Sequence, residues 1–326
     1  MKIIIYSAKE YEKPFVTEAN RGKHRITFVP DSLSLETVEK AKGHDAVCCF
    51  VMDCLNQAVL LNLAKLGIRL VALRSAGYDH VDLLAAKEQG ILVVHVPDYS
   101  PEAVAEFAVA LILSLNRKIL VSYQQGLKHN FSLDGLMGFN LCGKKIGIVG
   151  TGNIGLAFAR IMLGFGCQVF AYDPVVNESG KKLGVEYVSL EQLLSESDIV
   201  SLHCPLNEST HHLINENALY RMKKGAMLIN TGRGGLVDTE TLIQVLESGH
   251  LGFAGLDVYE KEAGLFFIDH QNEIIKDELF LKLQAMPNVL ITPHQAFLTK
   301  EAVANIASTT IANINAFEQG APINIV

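Results

Sequence analysis

Apolar residues in this chain gather in short dense runs, separated by mixed segments where they recur every three or four positions. Over the first hundred residues the runs cover 2–6, 25–29, 46–51, 70–73 and 92–96. They are rich in Val, Ile and Leu and alternate little with polar residues, as strands buried on both faces of a parallel sheet do. Between them, 35–42, 55–66 and 81–89 read as helices, and Gly67 and Gly90 stand where helix C-terminal glycines belong. Strands alternating with helices predict an open α/β sheet.

A different element begins at Ser100-Pro101-Glu102. Ser is a good N-cap, Pro is favoured in the first turn, and Glu complements the helix dipole. The helix runs on through 103–115, apolar almost all round, which predicts burial. A polar stretch over 126–143 leads into a second strand series at 145–149, 168–172, 199–203, 227–230, 254–258 and 289–292. After Pro293 one more helix is predicted over 300–318. It follows a completed second sheet, so its expected place is back on the first. The expected domains are therefore 1–100 with 298–326, and 101–297. The fold class is α/β, with two doubly wound parallel sheets.

The start of the second series carries the first chemical signal. Residues 145–173 read KIGIVGTGNIGLAFARIMLGFGCQVFAYD, a strand, a GxGxxG turn, a helix and a second strand ending in Asp173. Each part has a physical reason in a dinucleotide site. Gly150 permits the tight turn, Gly152 lets the backbone approach a pyrophosphate, and Gly155 lets the helix pack close to the strand. The helix N-terminus offers N–H groups and a positive dipole end to the anion. Asp173 stands where an acidic residue binds ribose hydroxyls, and its charge repels a 2′-phosphate. NAD is the expected cofactor, preferred over NADP.

Composition narrows the partners. The 326 residues hold 28 Lys+Arg against 35 Asp+Glu, a formal net charge of −7, and the basic residues are scattered. That argues against nucleic acid, whose phosphates require clustered positive charge. No apolar stretch is long enough for a bilayer, and the first residues read as a strand, not a signal peptide, so no membrane partner and a cytoplasmic location are expected. Cys48, Cys49, Cys54, Cys142, Cys167 and Cys204 form no CxxC pair, and are expected to be buried free thiols with no metal site.

Three later segments hold the groups that reduction of a carbonyl requires. In NTGRGG, Arg233 follows a strand between glycines; its planar fork matches a carboxylate in two places. In GLDVYEKE, Asp257 ends a strand and Glu260 and Glu262 follow. In ITPHQAF, His294 follows the last strand and suits proton transfer near neutral pH. Taken singly, each also reads as a solvated loop residue or a cap. Taken with the dinucleotide loop, all three fall at carboxyl ends of strands in one sheet.

With these segments in hand, the chain resembles the D-isomer-specific 2-hydroxyacid dehydrogenase family, and within it the fermentative D-lactate branch. The resemblance runs through RSAGYDHVDL (74–83), VPDYSPEAVAE (96–106), GTGNIG (150–155), SLHCPL (201–206), NTGRGGLVD (230–238), LDVYEKE (256–262) and TPHQAFLT (292–299). It implies a Rossmann NAD-binding domain inserted into a flavodoxin-like substrate domain. It implies a catalytic triad of Arg233, Glu262 and His294, the DVYExE pattern selecting Glu262 over Glu260. Asn153, Ile154, Cys204, Pro205, Thr210, Thr231, Gly232 and Asp257 would contact NAD. Backbone N–H groups at Ala76 and Gly77 would take the substrate carboxylate, and Tyr99, Phe297 and Phe50 would line the pocket around its methyl group.

The implied reaction is NADH-dependent reduction of pyruvate to D-lactate, with His294 as acid/base and Glu262 stabilising its cationic form, in a homodimer or homotetramer. Formate-oxidising relatives carry Gln in place of Glu262, and phosphoglycerate-oxidising ones often add a regulatory C-terminal domain, so neither is expected. Two alternatives stay open: a dehydrogenase for another 2-keto acid, such as hydroxypyruvate, glyoxylate or a longer chain, and a non-catalytic NAD(H)-sensing protein.

Overall fold

The computed structural model describes every residue from Met1 to Val326. Two compact units form, Met1–Ser100 with Leu298–Val326, and Pro101–Phe297.

The first unit runs β1 (Lys2–Ile5), α1 (Lys13–Asn20), β2 (Arg25–Phe28), β3 (Ala46–Cys49), α2 (Gln57–Lys65), β4 (Leu70–Leu73), α3 (Leu83–Glu88) and β5 (Leu92–Val94). The sheet is parallel with order β2-β1-β3-β4-β5, the flavodoxin-like arrangement. β3 and β4 are buried at every position, as their unbroken apolar runs require. Gly67 and Gly90 take positive φ after α2 and α3. The last helix of the chain, α12 (Lys300–Glu318), packs on this unit against α1 and β4, burying Ala307, Ile311 and Ile314 with β1 and β3.

Two local expectations fail here. Residues 35–42 form no α-helix, only a 3₁₀ turn at Val38–Ala41. Ser and Thr side chains compete for the backbone there: Ser34 N–H donates to Thr37 Oγ1 at 2.8 Å and Thr37 Oγ1 donates to Ser32 O at 2.6 Å. Helix α1 forms where none was expected. It offers only Phe15, Val16 and Ala19 to the core, too few to stand out as a periodic signal.

The second unit opens with α4 (Pro101–Asn116) and α5 (Ile119–Leu127). It continues with β6 (Lys145–Val149), α6 (Asn153–Gly164), β7 (Gln168–Tyr172), α7 (Glu178–Leu183), β8 (Glu186–Tyr187), α8 (Leu190–Glu196), β9 (Ile199–Leu202), α9 (Glu216–Arg221), β10 (Met227–Asn230), α10 (Thr239–Glu247), β11 (Phe253–Leu256), α11 (Glu278–Ala285) and β12 (Val289–Ile291). Its seven parallel strands lie in the order β12-β11-β10-β9-β6-β7-β8, a Rossmann arrangement that reverses direction between β6 and β9. Helix α4 is buried as its composition predicts, lying on β10, β11 and α6. Gly255 allows this: a Cβ there would stand 3.2 Å from Leu111 Cβ. Full burial of a side chain such as Ile112 contributes about 1.5–3 kcal/mol. Helix α5 is unlike the rest, because it buries none of its residues. No helix is long and apolar enough to cross a membrane.

Candidate active site

Because every strand of the second sheet runs the same way, the loops after β6, β7, β9, β10, β11 and β12 all leave from one edge. That edge collects the segments carrying Gly150–Gly155, Asp173, Cys204–Thr210, Thr231–Arg233, Asp257–Glu262 and His294. Ligands of open α/β sheets bind along such an edge, at the point where strand order reverses.

The glycine loop has the shape its sequence predicts. Gly150 adopts φ +96°, and a Cβ there would meet Cys204 N at 2.6 Å. A Cβ on Gly155 would meet Gly150 O at 2.1 Å, so helix α6 can start this close to β6 only with glycine. A Cβ on Gly152 would meet nothing within 4 Å. The backbone there is bare and exposed, and Gly152 caps α6 without any side chain. These features fit a dinucleotide pyrophosphate, with Asn153 and Ile154 in the first turn of the helix. Next to it, Asp173 Oδ2 accepts from Thr151 N at 2.7 Å and Thr151 Oγ1 at 3.0 Å, and Oδ1 accepts from Val175 N at 3.0 Å. Burial opposes its charge, but these hydrogen bonds outweigh burial and hold the carboxyl below its usual range.

After β9, Thr210 Oγ1 donates to Pro205 O at 2.7 Å and accepts from Asn207 N at 2.8 Å, closing the turn that follows Cys204. Burial pushes the Cys204 thiol up to about 11, so it is neutral near pH 7. The other five cysteines are also free. Cys142 is exposed and Cys54 and Cys204 partly so, contrary to the expected burial, because all three lie in loops outside the strands. After β10, the Thr231 hydroxyl is buried with no partner, a polar atom a ligand would satisfy.

Arg233 leads a 3₁₀ turn at Gly234–Leu236. Asn230 organises it: its Nδ2 donates to Arg233 O at 2.8 Å and its Oδ1 accepts from Gly232 N at 3.1 Å. Gly234 lets this turn press against the loop after β11, since a Cβ there would fall 2.1 Å from the Tyr259 carbonyl carbon. The run of glycines around Arg233 was the only sequence sign of that contact.

His294 and Glu262 meet. His294 Nδ1 lies 2.8 Å from Glu262 Oε1, and Glu262 Oε2 accepts from Tyr259 N at 3.1 Å. The carboxylate fixes a proton on Nδ1 and leaves Nε2 outside the pair. Both side chains are mostly buried. His294 itself adopts φ +54°, a left-handed conformation unusual outside glycine. Asp257 accounts for it. Its Oδ1 accepts from Thr292 Oγ1 at 2.5 Å and Gln295 N at 3.0 Å, and its Oδ2 from Ala296 N at 2.7 Å, bracing the turn on both sides of His294. Asp257 has no exposed surface and serves as that brace. Burial pushes its carboxyl up, against those three hydrogen bonds. Phe267, whose ring centroid is 5.6 Å from that of His294, was not singled out as a site residue.

The first unit has its own cluster of expected residues, again beyond the carboxyl ends of parallel strands. Phe50 follows β3, Ala76 and Gly77 follow β4, and Tyr99 follows β5. Ser75 Oγ donates to Gly77 O at 2.7 Å, and His95 Nδ1 lies 2.8 Å from Ala76 O. Beneath this turn lies Arg74, 2% exposed, an unexpected participant. Its guanidinium donates to Glu12 Oε2 at 3.0 Å and Tyr6 O at 2.9 Å, and sits 5.6 Å from the Phe50 ring centroid. A buried charge needs such partners, so an Arg closing an apolar strand was the available signal.

Comparison with known proteins bears on what these groups do. Residues 109–296 match the family model described as the NAD-binding domain of D-isomer-specific 2-hydroxyacid dehydrogenases. The chain belongs to the D-isomer-specific 2-hydroxyacid dehydrogenase family. It is 50% identical over 321 residues to 2-hydroxyacid dehydrogenase A of Aspergillus oryzae, covering 97% of this chain and 92% of that one. It is 47% identical over 321 residues to the D-lactate dehydrogenase of Escherichia coli, covering 98% of each. Its fold matches the structure reported for the pyruvate reductase of Chlamydomonas reinhardtii with a TM-score of 0.93 at 47% identity, over 99% of this chain and 98% of that one. This D-2-hydroxyacid dehydrogenase is thus an NAD-dependent oxidoreductase, as the loop after β6 predicts.

Proposed function

We propose that this dehydrogenase reduces pyruvate to D-lactate, and that Arg233, Glu262 and His294 carry the reaction. The observation that carries the reading is the His294–Glu262 pair at 2.8 Å, held on a braced left-handed turn at the cofactor edge of the sheet. Its likeness to proteins named for lactate and pyruvate supports the substrate.

Bound NADH supplies the hydride that adds to C2 of the keto acid. The chain's own groups do the rest. His294 Nε2–H donates a hydrogen bond to the keto oxygen and gives up its proton as the alkoxide forms. Glu262 holds the imidazole in the tautomer this requires and stabilises its cation. Arg233 grips the substrate carboxylate with its fork and polarises the carbonyl. The N–H groups of Ala76 and Gly77 assist with that carboxylate; their carbonyls are already taken by His95 and Ser75. Phe50, Tyr99 and Phe297 are assigned to the substrate's methyl group on the strength of the family resemblance.

Cofactor contacts are assigned to Gly150, Gly152, Asn153, Ile154 and Gly155 for the pyrophosphate and Asp173 for the ribose. Cys204, Pro205, Thr210, Thr231 and Gly232 are assigned to the remainder. Asp173, held ionised by Thr151 and Val175, disfavours a 2′-phosphate and so selects NADH over NADPH. Six free thiols with no disulfide suit a reducing compartment, and we place the enzyme in the cytoplasm. The apolar, unburied helix α5 makes a homodimer or homotetramer the expected state.

The test is NADH oxidation with pyruvate, glyoxylate, hydroxypyruvate, 2-ketobutyrate and phenylpyruvate, with the chirality of each product determined. Pyruvate dominant and D-lactate formed supports the proposal. Preference for a bulkier or hydroxylated acid keeps the triad and replaces the substrate. NADH binding without turnover on any of them points to a sensor.

A further inference from the structure

Outside the groups assigned above, the second unit assembles three side chains of a different character. His211 and His212 follow the turn closed by Thr210, and Glu260 lies in the loop after β11. One ligating atom from each lies within 4.8 Å of the others. His212 Nε2 is 2.6 Å from Glu260 Oε1, and the two imidazoles stack with centroids 4.0 Å apart at 25°. We propose that His211, His212 and Glu260 form a binding site for a divalent transition metal, Zn²⁺ being the occupant that suits them.

The ligand set comes first. Two imidazoles and one carboxylate are the donors of three-ligand zinc sites that keep a further position for water, whereas Mg²⁺ and Ca²⁺ prefer all-oxygen cages. An ordinary ion pair would explain His212 and Glu260 alone. It leaves unexplained the second imidazole, stacked on the first with centroids 4.0 Å apart and offering a third donor beside the pair.

The ligands are also held in place. His212 adopts φ +49°, a left-handed conformation for a residue other than glycine. Its N–H donates to Gly235 O at 2.8 Å, the His211 N–H to Asn207 O at 2.9 Å, and the Ile214 N–H to Leu236 O at 3.0 Å. Glu260 Oε2 accepts from Thr239 N at 3.4 Å, a second partner of the kind that orients metal-binding carboxylates. Zn–N and Zn–O bonds of about 2.0–2.2 Å at tetrahedral angles require donors about 3.3 Å apart. His212 and Glu260 would have to part by less than about 1 Å, a small side-chain rotation. His211 is exposed and gives an ion its entry.

The experiment uses the full chain stripped with EDTA, titrated with Zn²⁺ by calorimetry and with Co²⁺ by visible absorption. The expected result is one tight equivalent of Zn²⁺ per chain, intense tetrahedral Co²⁺ bands, and release of protons on binding, because metal ligands must be deprotonated. His211→Ala, at an exposed position outside the reaction groups, should keep the basal turnover of the metal-free enzyme. It should bind Zn²⁺ at least about 10–100-fold more weakly, the loss already associated with outer partners of metal ligands. Absence of a tight equivalent in the parent overturns the proposal. So does undiminished binding in His211→Ala, which would put the ion on other residues.

Discussion

At the scale of single residues, the proposed chemistry turns on a strained histidine. A left-handed φ costs a residue other than glycine about 1–3 kcal/mol and persists only where its surroundings over-determine it. At His294 those surroundings are the three hydrogen bonds to Asp257 and the pair with Glu262. Replacing the ring removes the acid and leaves the brace, so His294→Ala should fold normally and lose about 10²–10⁴-fold in kcat, read by steady-state NADH oxidation. Arg233→Lys keeps the charge and loses the fork. Its KM for pyruvate should rise by about 10-fold or more with a smaller change in kcat; an unchanged KM would remove Arg233 from the carboxylate. The residue types of this pair stood in the motifs, and the hydrogen bond runs from His294 to Glu262, the glutamate that the family resemblance implies. The brace was not, because Asp257 reaches its partners across 35 to 39 residues and nothing local announces a backbone conformation imposed from that distance.

At the scale of elements, strands were the most legible because full burial leaves an unbroken apolar run, as in Ala46–Cys49 and Leu70–Leu73. Short helices were less so. Residues 35–42 carried a helical pattern that Ser34 and Thr37 undid, and Lys13–Asn20 became helical around only three apolar contacts. The glycine loop lies at the legible extreme, and its three glycines do different things that substitution separates. Gly150→Ala adds a methyl group where φ is +96° and Cys204 N would be 2.6 Å away. It should lower the melting temperature, by more than about 1 kcal/mol of stability, and weaken NADH binding too. Gly152→Ala adds a methyl group into open space. It should melt like the parent yet bind NADH about 10-fold or more weakly by fluorescence titration, a loss of roughly 1.4 kcal/mol. Normal NADH binding by Gly152→Ala would mean the pyrophosphate does not approach that backbone.

At the scale of the whole molecule, two properties follow from groups outside the proposed triad. His203 lies beyond β9, with Nε2 2.9 Å from Ser201 Oγ and its ring 5.0 Å from that of Phe158. Burial pushes its pKa down to about 3, whereas in the unfolded chain it returns to about 6.5. Below about 6.5 the unfolded state therefore takes a proton that the native state refuses. The stability this group contributes is complete above that pH and is lost as pH falls from 6.5 toward 3, by at most about 1.4 kcal/mol per pH unit. Urea titrations across this window should show a steeper decline for the parent than for His203→Gln; equal slopes would mean the imidazole is not held neutral. The second property concerns association. Helix α5 buries none of its residues, and Ile119, Leu120, Tyr123 and Leu127 are each about half exposed or more, as are Phe131, Leu133 and Met137 beyond it. So many exposed apolar side chains in one segment are unusual on a monomer and fit the homo-oligomer proposed above. Its most economical partner is the same segment of a second copy, related by a two-fold axis. A charge placed there should break the assembly without unfolding the chain, because the side chains replaced support no core. Leu120→Asp combined with Tyr123→Asp should sediment as a monomer with parental far-UV circular dichroism. Sedimentation unchanged from the parent would place the contact between copies on another face.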